Sequence, residues 1–246
     1  MSVTPSAGRV TKQVRATVRV DWRHAPKGTT RVPLTIAGPD DSRVVVQAVV
    51  DNPRVRRSSL RGFVEANGYV SMEAAHASRV VNTPSVAWKR IPDIGRTGDG
   101  MEPFPVTAAS QTPGAGSPHL EYDMSLFTSG AVKVWAYLSP RNNVLPTDGL
   151  KYAISIDGAA PQVVNVTKAT GADDTSMNRQ WERNTSDNVN RTVTTHVVTR
   201  PGVHTLRVWM VDPTVVVQKL VVDTGGVRPS YLGPPESMRA GAGHRG

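Results

Sequence analysis

Two tryptophans are the residues with the most chemistry to offer in this sequence. Trp88 stands beside Lys89-Arg90 and Trp181 beside Glu182-Arg183. In such polar surroundings a large aromatic either plugs the rim of a fold or offers its apolar face to the C–H face of a sugar. Both are therefore candidate carbohydrate-binding residues. Glu121 and Asp123 lie two apart, which puts them on one side of a strand. Glycoside hydrolysis needs two carboxyls about 5–10 Å apart, but solvent-facing acids paired to Arg or Lys fit this common spacing as well. Asp173, Asp174 and Asp187 sit in the polar stretch 168–188 and could lend oxygen ligands to a calcium ion. Gly95-Arg96-Thr97-Gly98-Asp99-Gly100 superficially has the glycines of a phosphate loop. No helix pattern follows it, and it reads as a turn.

The remaining signatures of catalysis do not occur. There is no H-E-x-x-H, no Cys/His zinc spacing, no G-x-S-x-G elbow and no P-loop. The absence of cysteine removes disulfides, thiolate metal sites and cysteine nucleophiles together. The sequence thus assigns no catalytic residue, no metal site and no cofactor.

A formal charge of +9 raises the question of nucleic acid, and its placement answers it. Residues 1–62 carry twelve Lys and Arg against four Asp, while all aromatics but Trp22 lie beyond them. A single-strand binder interleaves basic and aromatic side chains in one groove; here the two are segregated. Arg15, Arg19, Arg31 and Arg43 read as water-facing positions of strands. No stretch has the roughly 18 uninterrupted apolar residues of a membrane helix. Neither nucleic acid nor membrane is expected as a partner.

The elements that must position these residues are strands. Val14, Ala16, Val18 and Val20 alternate with Arg15, Thr17, Arg19 and Asp21, the period of two of a half-buried strand. Runs at 32–36 and 43–50 follow, closed by Gly38-Pro39-Asp40-Asp41 and by Asp51-Asn52-Pro53. Three strands fall short of the seven or so of an immunoglobulin-type sandwich, so residues 1–53 read as a partial β domain. Residues 54–62 are polar and basic and read as a linker. Asn67-Gly68 between 63–66 and 69–74 predicts a hairpin. The Pro- and Gly-rich stretch 82–118 predicts an ordered loop with short strands. Regular strands are expected at 119–127, 131–138, 150–156, 161–166, 189–198, 204–211 and 215–222, with one short helix at 176–183. Trp135, Tyr137 and Trp209 fall inside these apolar runs, which makes them core residues. The spacing is that of a β-sandwich or jelly roll over 63–236, followed by a disordered tail at 237–246. The fold class is all-β.

Gly202–Pro213, Val217–Gly226 and Pro229–Ser237 resemble the end of glycoside hydrolase family 115, the xylan α-1,2-glucuronidases. Pro118–Asp123, Tyr137–Pro140, Ile94–Arg96, Pro103–Pro105 and Gly68–Glu73 extend the resemblance over roughly residues 60–237. Residues 2–53, through Ser2–Gly8 and Val20–Trp22, resemble the later part of the immunoglobulin-like segment that precedes this module. Gly68–Glu73 also resembles the opening strand of carbohydrate-binding modules with a galactose-binding-like sandwich, where a second glutamate can help hold calcium. Ala75 stands at that position here.

The resemblance implies an exported parent hydrolase, extracellular or periplasmic, that removes 4-O-methyl-glucuronic acid from xylan and often dimerises. Its catalytic domains would lie outside this sequence, which itself shows no signal peptide. The expected role is a non-catalytic accessory module that docks to the hydrolase domains or forms a homodimer. The alternatives are a carbohydrate-binding module for glucuronoxylan and one part of a hydrolase whose catalytic domains are on a separate chain.

Overall fold

The computed structural model describes residues 1–169 and 182–240. They divide into two compact units, Met1–Arg56 and Arg57–Gly246.

In the first unit, β1 (Ser2–Thr4) pairs with β2 (Thr17–Arg19), and β3 (Gly28–Ala37) pairs with β4 (Arg43–Asn52). The alternation at 14–21 yields only the three residues of β2. Val14 and Val18 stay exposed, because a three-residue ladder gives that face nothing to pack on. Register in the β3–β4 hairpin puts Val32, Leu34 and Ile36 on the same face as Val44, Val46 and Ala48. Arg15, Arg19, Arg31 and Arg43 are exposed, as the charge pattern implies.

The second unit runs β5 (Gly62–Val64), β6 (Tyr69–Glu73), β7 (Arg79–Val81), β8 (Ala87–Ile91), β9 (Gly100–Phe104), β10 (His119–Leu126), β11 (Gly130–Leu138), β12 (Lys151–Ile156), β13 (Gln162–Asn165), a helical turn α1 (Val166–Ala169), β14 (Asn190–Val198), β15 (Gly202–Met210), β16 (Val217–Asp223) and β17 (Arg239–Ala240). Among the described residues these form two sheets. One has the order β13-β12-β15-β10-β5-β17, with β7 also on β10; the other has the order β14-β11-β16-β9-β8, with β6 also on β16. Phe63, Leu120, Tyr122, Ile154, Leu206 and Met210 from the first sheet meet Met72, Val134, Leu138, Leu220 and Val222 from the second in one buried cluster. Two buried phenols in it are satisfied: Tyr122 Oη donates to Ala74 O at 2.7 Å, and Tyr152 Oη lies 2.6 Å from Thr192 Oγ1. The second unit is a β-sandwich of the jelly-roll kind.

Four expectations are refined. Asn67 and Gly68 do have positive φ, at 55° and 75°, and Ala66 and Tyr69 exchange two backbone hydrogen bonds of 3.1 Å. The strands beyond the turn then part company. β5 runs parallel to β10 in one sheet while β6 runs antiparallel to β16 in the other. Phe63 and Met72, which a continued hairpin would place side by side on one face, instead enter the inter-sheet cluster from opposite sheets. The turn is a corner between sheets.

The second refinement concerns residues 237–240, which continue the fold. Ser237 N donates to Ser71 O at 2.9 Å, and Arg239 and Ala240 pair with Phe63 and Gly62. Their small, charged composition suggests a loose tail, but β5 has a free edge whose backbone groups need partners. Third, the basic stretch 54–62 ends within β5, where Gly62 is at φ +59° and a Cβ would meet Asp123 O at 1.8 Å. Fourth, the short helix expected at 176–183 falls mostly outside the described residues, and 182–186 are helical.

The corner at 65–68 is fixed by a carboxylate and by glycines. Glu65 is buried and accepts hydrogen bonds from Phe127 N, Thr128 N, Thr128 Oγ1 and Thr224 Oγ1. It thereby joins the β10–β11 turn to the end of β16. Thr224 N and Gly226 N both donate to Gly68 O, at 2.9 and 3.0 Å. The approach is so close that a Cβ on Gly226 would sit 1.9 Å from Asn67 O. From the end of β16 the chain forms a strap, 224–238, across the outer face of the six-stranded sheet. Ser71 Oγ donates to Pro234 O at 3.0 Å, and Lys219 Nζ reaches Leu232 O and Pro234 O at 3.3 Å.

Glu65→Ala strands four donors in a half-buried corner and is expected to cost about 2–4 kcal/mol in urea denaturation. Gly226→Ala is expected to cost about 1–3 kcal/mol, since the methyl must push two turns apart. A loss under about 0.5 kcal/mol in either variant would show that the corner is not under this constraint.

Candidate functional site

Trp88 lies at an inward position of β8 and is 5% exposed, packed within the inter-sheet cluster. Its polar neighbours mislead because Lys89 and Arg90 are both exposed on a strand that is itself short and peripheral. A ring with both faces packed offers no sugar platform, which corrects the reading of Trp88 as a carbohydrate-binding residue. Its Nε1 has no hydrogen-bond partner among the described residues. Trp181, the other candidate, lies outside the described residues, as do Asp173 and Asp174.

Trp135, Tyr137 and Trp209 point to outer faces instead of the inter-sheet core. Tyr137 forms a satellite cluster with Val189 and Val221, backed by Trp135, Tyr69 and Val227. Trp209 packs with Ala153 and Val211, donates Nε1–H to Ser155 Oγ at 2.9 Å, and lies 4.3 Å from the His119 ring. Strands apolar on both faces place aromatic residues in two layers, and alternation alone cannot tell which layer is central.

On the outer face of the seven-stranded sheet, Glu121 is the hub. It is buried, against the expectation of a solvent-facing acid, yet paired to arginine as that reading requires. Arg79 Nε lies at 2.9 Å, Arg207 Nε at 2.8 Å and His119 Nε2 at 3.2 Å. Burial alone would raise its pKa, but the Arg207 and His119 hydrogen bonds with the charges of Arg207 and Arg79 outweigh that and lower it. Asp123, on the same face, accepts from Thr205 Oγ1 at 3.0 Å. Neither acid is a free base.

The other face carries a second set. Glu73 meets the ammonium of Lys219 at 3.1 Å and accepts from Thr97 Oγ1 at 2.8 Å. The chain's own lysine is therefore the counter-ion of this carboxylate. Asp187 lies 3.9 Å from an Arg96 nitrogen, and among the described residues no group of three His, Asp or Glu converges to hold a metal. Gly95 N donates to Gly98 O at 2.8 Å, which makes 95–98 a turn. Arg96 lays its guanidinium 3.7 Å from the centre of the Tyr231 ring, a cation–π contact that holds the strap. Tyr231 is itself 62% exposed. Glu102 is 6% exposed, and burial pushes its pKa up against the opposing charge of Arg141.

The strap also encloses a groove of about 820 Å³ beside the corner, lined among others by Asn67, Tyr69, Arg228, Ser230 and Pro234. The sequence reading missed it. Its rim comes from residues with no strand period, and its floor from a tyrosine read only as part of a hairpin. The pairing of Asn67-Gly68 with a second glycine pair, Gly225-Gly226, was the available signal.

None of the curated proteins matches this sequence. Among solved structures, a family GH115 4-O-methyl-α-glucuronidase with specificity for decorated arabinogalactans shows 18% identity over 64% of this chain, with a TM-score of 0.47. The chain spans 18% of that protein's length. The C-terminal family 6 carbohydrate-binding module of a laminarinase from Zobellia galactanivorans shows 12% identity over 63% of this chain and 98% of its own, with a TM-score of 0.40. A family 35 carbohydrate-binding module from Clostridium thermocellum shows 13% identity over 63% and 96%, with a TM-score of 0.39. Residues 62–236 match the glycosyl hydrolase family 115 C-terminal domain, and the chain belongs to that family.

Proposed function

We propose that this chain is a non-catalytic accessory module of an exported glycoside hydrolase that acts on glucuronic-acid-substituted polysaccharide, xylan first, and that its role is structural. One observation carries this reading: the buried Glu121 and Glu65 and the half-buried Glu73 are already committed to their own arginine, lysine, amide or hydroxyl donors, which leaves Glu102 as the one buried glutamate without such donors among the described residues. A glycosidase needs one carboxyl free to give a proton and another free to act on the sugar or a water. Carboxylates whose oxygens are filled by the fold's own donors are not free for either task. The family match supports the polysaccharide class.

The structural role is supported by apolar surface at a sheet edge. β14 is the terminal strand of its sheet and leaves Val193 and Val197 exposed, Val197 at 69%. Such an edge invites cover by another body, and we assign it to the hydrolase's catalytic domains or to a second copy. Incubated with aldouronic acids, the purified chain is expected to release no glucuronic acid by chromatography. Its sedimentation is expected to show a complex with the catalytic domains or a dimer. Measured turnover would overturn the non-catalytic reading, and a monomer indifferent to the catalytic domains would overturn the structural one.

Glu102 gives a test within the same reading. Its folded pKa is raised, so the folded state holds the proton more tightly than the unfolded state, and this carboxyl costs stability once pH rises through the raised value. Glu102→Gln is expected to raise Tm by about 1–2 °C at pH 7 and to change nothing below about pH 4. Were Glu102 a proton donor for sugar cleavage, the same variant would abolish a measurable activity instead.

A further inference from the structure

We infer that the groove under the strap is a binding site for a carboxylated sugar. This goes beyond the accessory role above and needs no part of it except the choice of polysaccharide to test. The groove's volume of about 820 Å³ lies within the range of small-ligand sites, enough for two or three sugar rings. Its walls carry one ionised side chain, Arg228. That guanidinium is exposed and has no ion-pair or hydrogen-bond partner among the described residues. The neighbouring acid, Asp223, turns its Oδ1 to Gly225 N at 2.8 Å and Val227 N at 3.2 Å. Among the described residues no acid lines the groove or pairs with Arg228, and a guanidinium matches a carboxylate through two parallel hydrogen bonds.

The rest of the lining selects a sugar among carboxylates. Tyr69 is half-buried in the satellite cluster with Tyr137 and Val221, which fixes its ring at the floor. With Pro229, Pro234 and Pro235 it supplies apolar area for the C–H face of a pyranose. Asn67 brings an amide that both donates and accepts, and Ser230 a hydroxyl, which suit a sugar's hydroxyls. Both ends of the groove are anchored: Gly226 N is bonded to Gly68 O at 3.0 Å, and Ser71 Oγ to Pro234 O at 3.0 Å. Between those anchors in sequence the Arg96 guanidinium lies 3.7 Å from the centre of the Tyr231 ring. The cavity is thus preformed, which lowers the ordering cost of binding.

Titration calorimetry of the full chain with a glucuronic-acid-bearing xylotriose, with neutral xylotriose and with tetraglutamate tests the site. The acidic saccharide is expected to bind at least about tenfold more tightly than the neutral one. Arg228→Gln is expected to remove most of that difference, and Arg228→Lys to restore part of it. Raising salt from about 0.05 to 0.5 M is expected to weaken binding by the wild-type chain but not by Arg228→Gln. Because Arg228 is exposed and unpaired, both variants are expected to melt with the wild type, which separates lost binding from lost folding. No binding by the wild-type chain, equal affinities in wild type and Arg228→Gln, or tetraglutamate binding as tightly as the saccharide would each overturn the proposal. All three outcomes leave the non-catalytic reading intact, since that one is decided by turnover.

Discussion

A single buried carboxylate holds the corner from which the rest of the sandwich is strung. Glu65 lies where the chain leaves one sheet for the other, and its two oxygens gather donors from the β10–β11 turn and from the end of β16. Three segments far apart in sequence meet there on amide and hydroxyl donors. A carboxylate in such a place is stable only when its lone pairs are filled, because an unfilled one would have to be hydrated or protonated. The requirement works in both directions: the amides and hydroxyls of 127, 128 and 224 need an acceptor as much as the acid needs donors. Once that corner is set, β5 and β6 must diverge, and the two sheets acquire their facing surfaces.

The second consequence is close packing of backbone on backbone. Gly68 and Gly226 touch where any side chain would collide, so the turn that starts the sandwich and the turn that ends its last long strand are stacked. The strap can then leave β16 low over the outer face, within reach of Ser71 and Lys219. Lys219 is almost wholly buried there, neutralised by Glu73 and solvated by strap carbonyls. A buried ammonium with an incomplete shell would be costly. The strap supplies that shell, so it is part of the fold even though it has no regular secondary structure.

Much of this was legible in the sequence, and the failures have a common cause. Strands from 119 onward, their turns and the ordered character of 82–118 follow from period-two patterning and Gly/Pro punctuation, which are local properties. Which sheet a strand joins is not local. Asn67-Gly68 specifies a tight turn faithfully, yet whether its arms stay paired depends on β10 and β16 some fifty and one hundred and fifty residues away. Trp88 failed for a related reason: charged neighbours on a short peripheral strand look like a loop, while one inward position suffices to bury a ring. Residues 237–240 look like a tail because small and charged residues promise no burial. Their fixed place comes from a free edge on β5, which only the assembled sheet reveals. The family resemblance carried what patterning could not, the identity of the module over 62–236.

The charged groups of this unit separate into two kinds, and the distinction bears on what such a module can do. Glu65, Glu73, Glu121 and Asp212 are each held by two or more donors, so their charge is spent on architecture; Asp212 accepts from Ser110 Oγ at 2.6 Å and Lys151 N at 2.8 Å. On the basic side, Lys219 and Arg207 are spent in the same way, whereas Arg228 is not. A surface arginine left unpaired is unremarkable in open solvent, where water satisfies it. Beside a concave wall of prolines and a fixed tyrosine, part of that hydration has to be shared with the wall. A ligand that brings both a carboxylate and an apolar ring face replaces the displaced water more completely than a simple anion can, because only it uses the charge and the wall together.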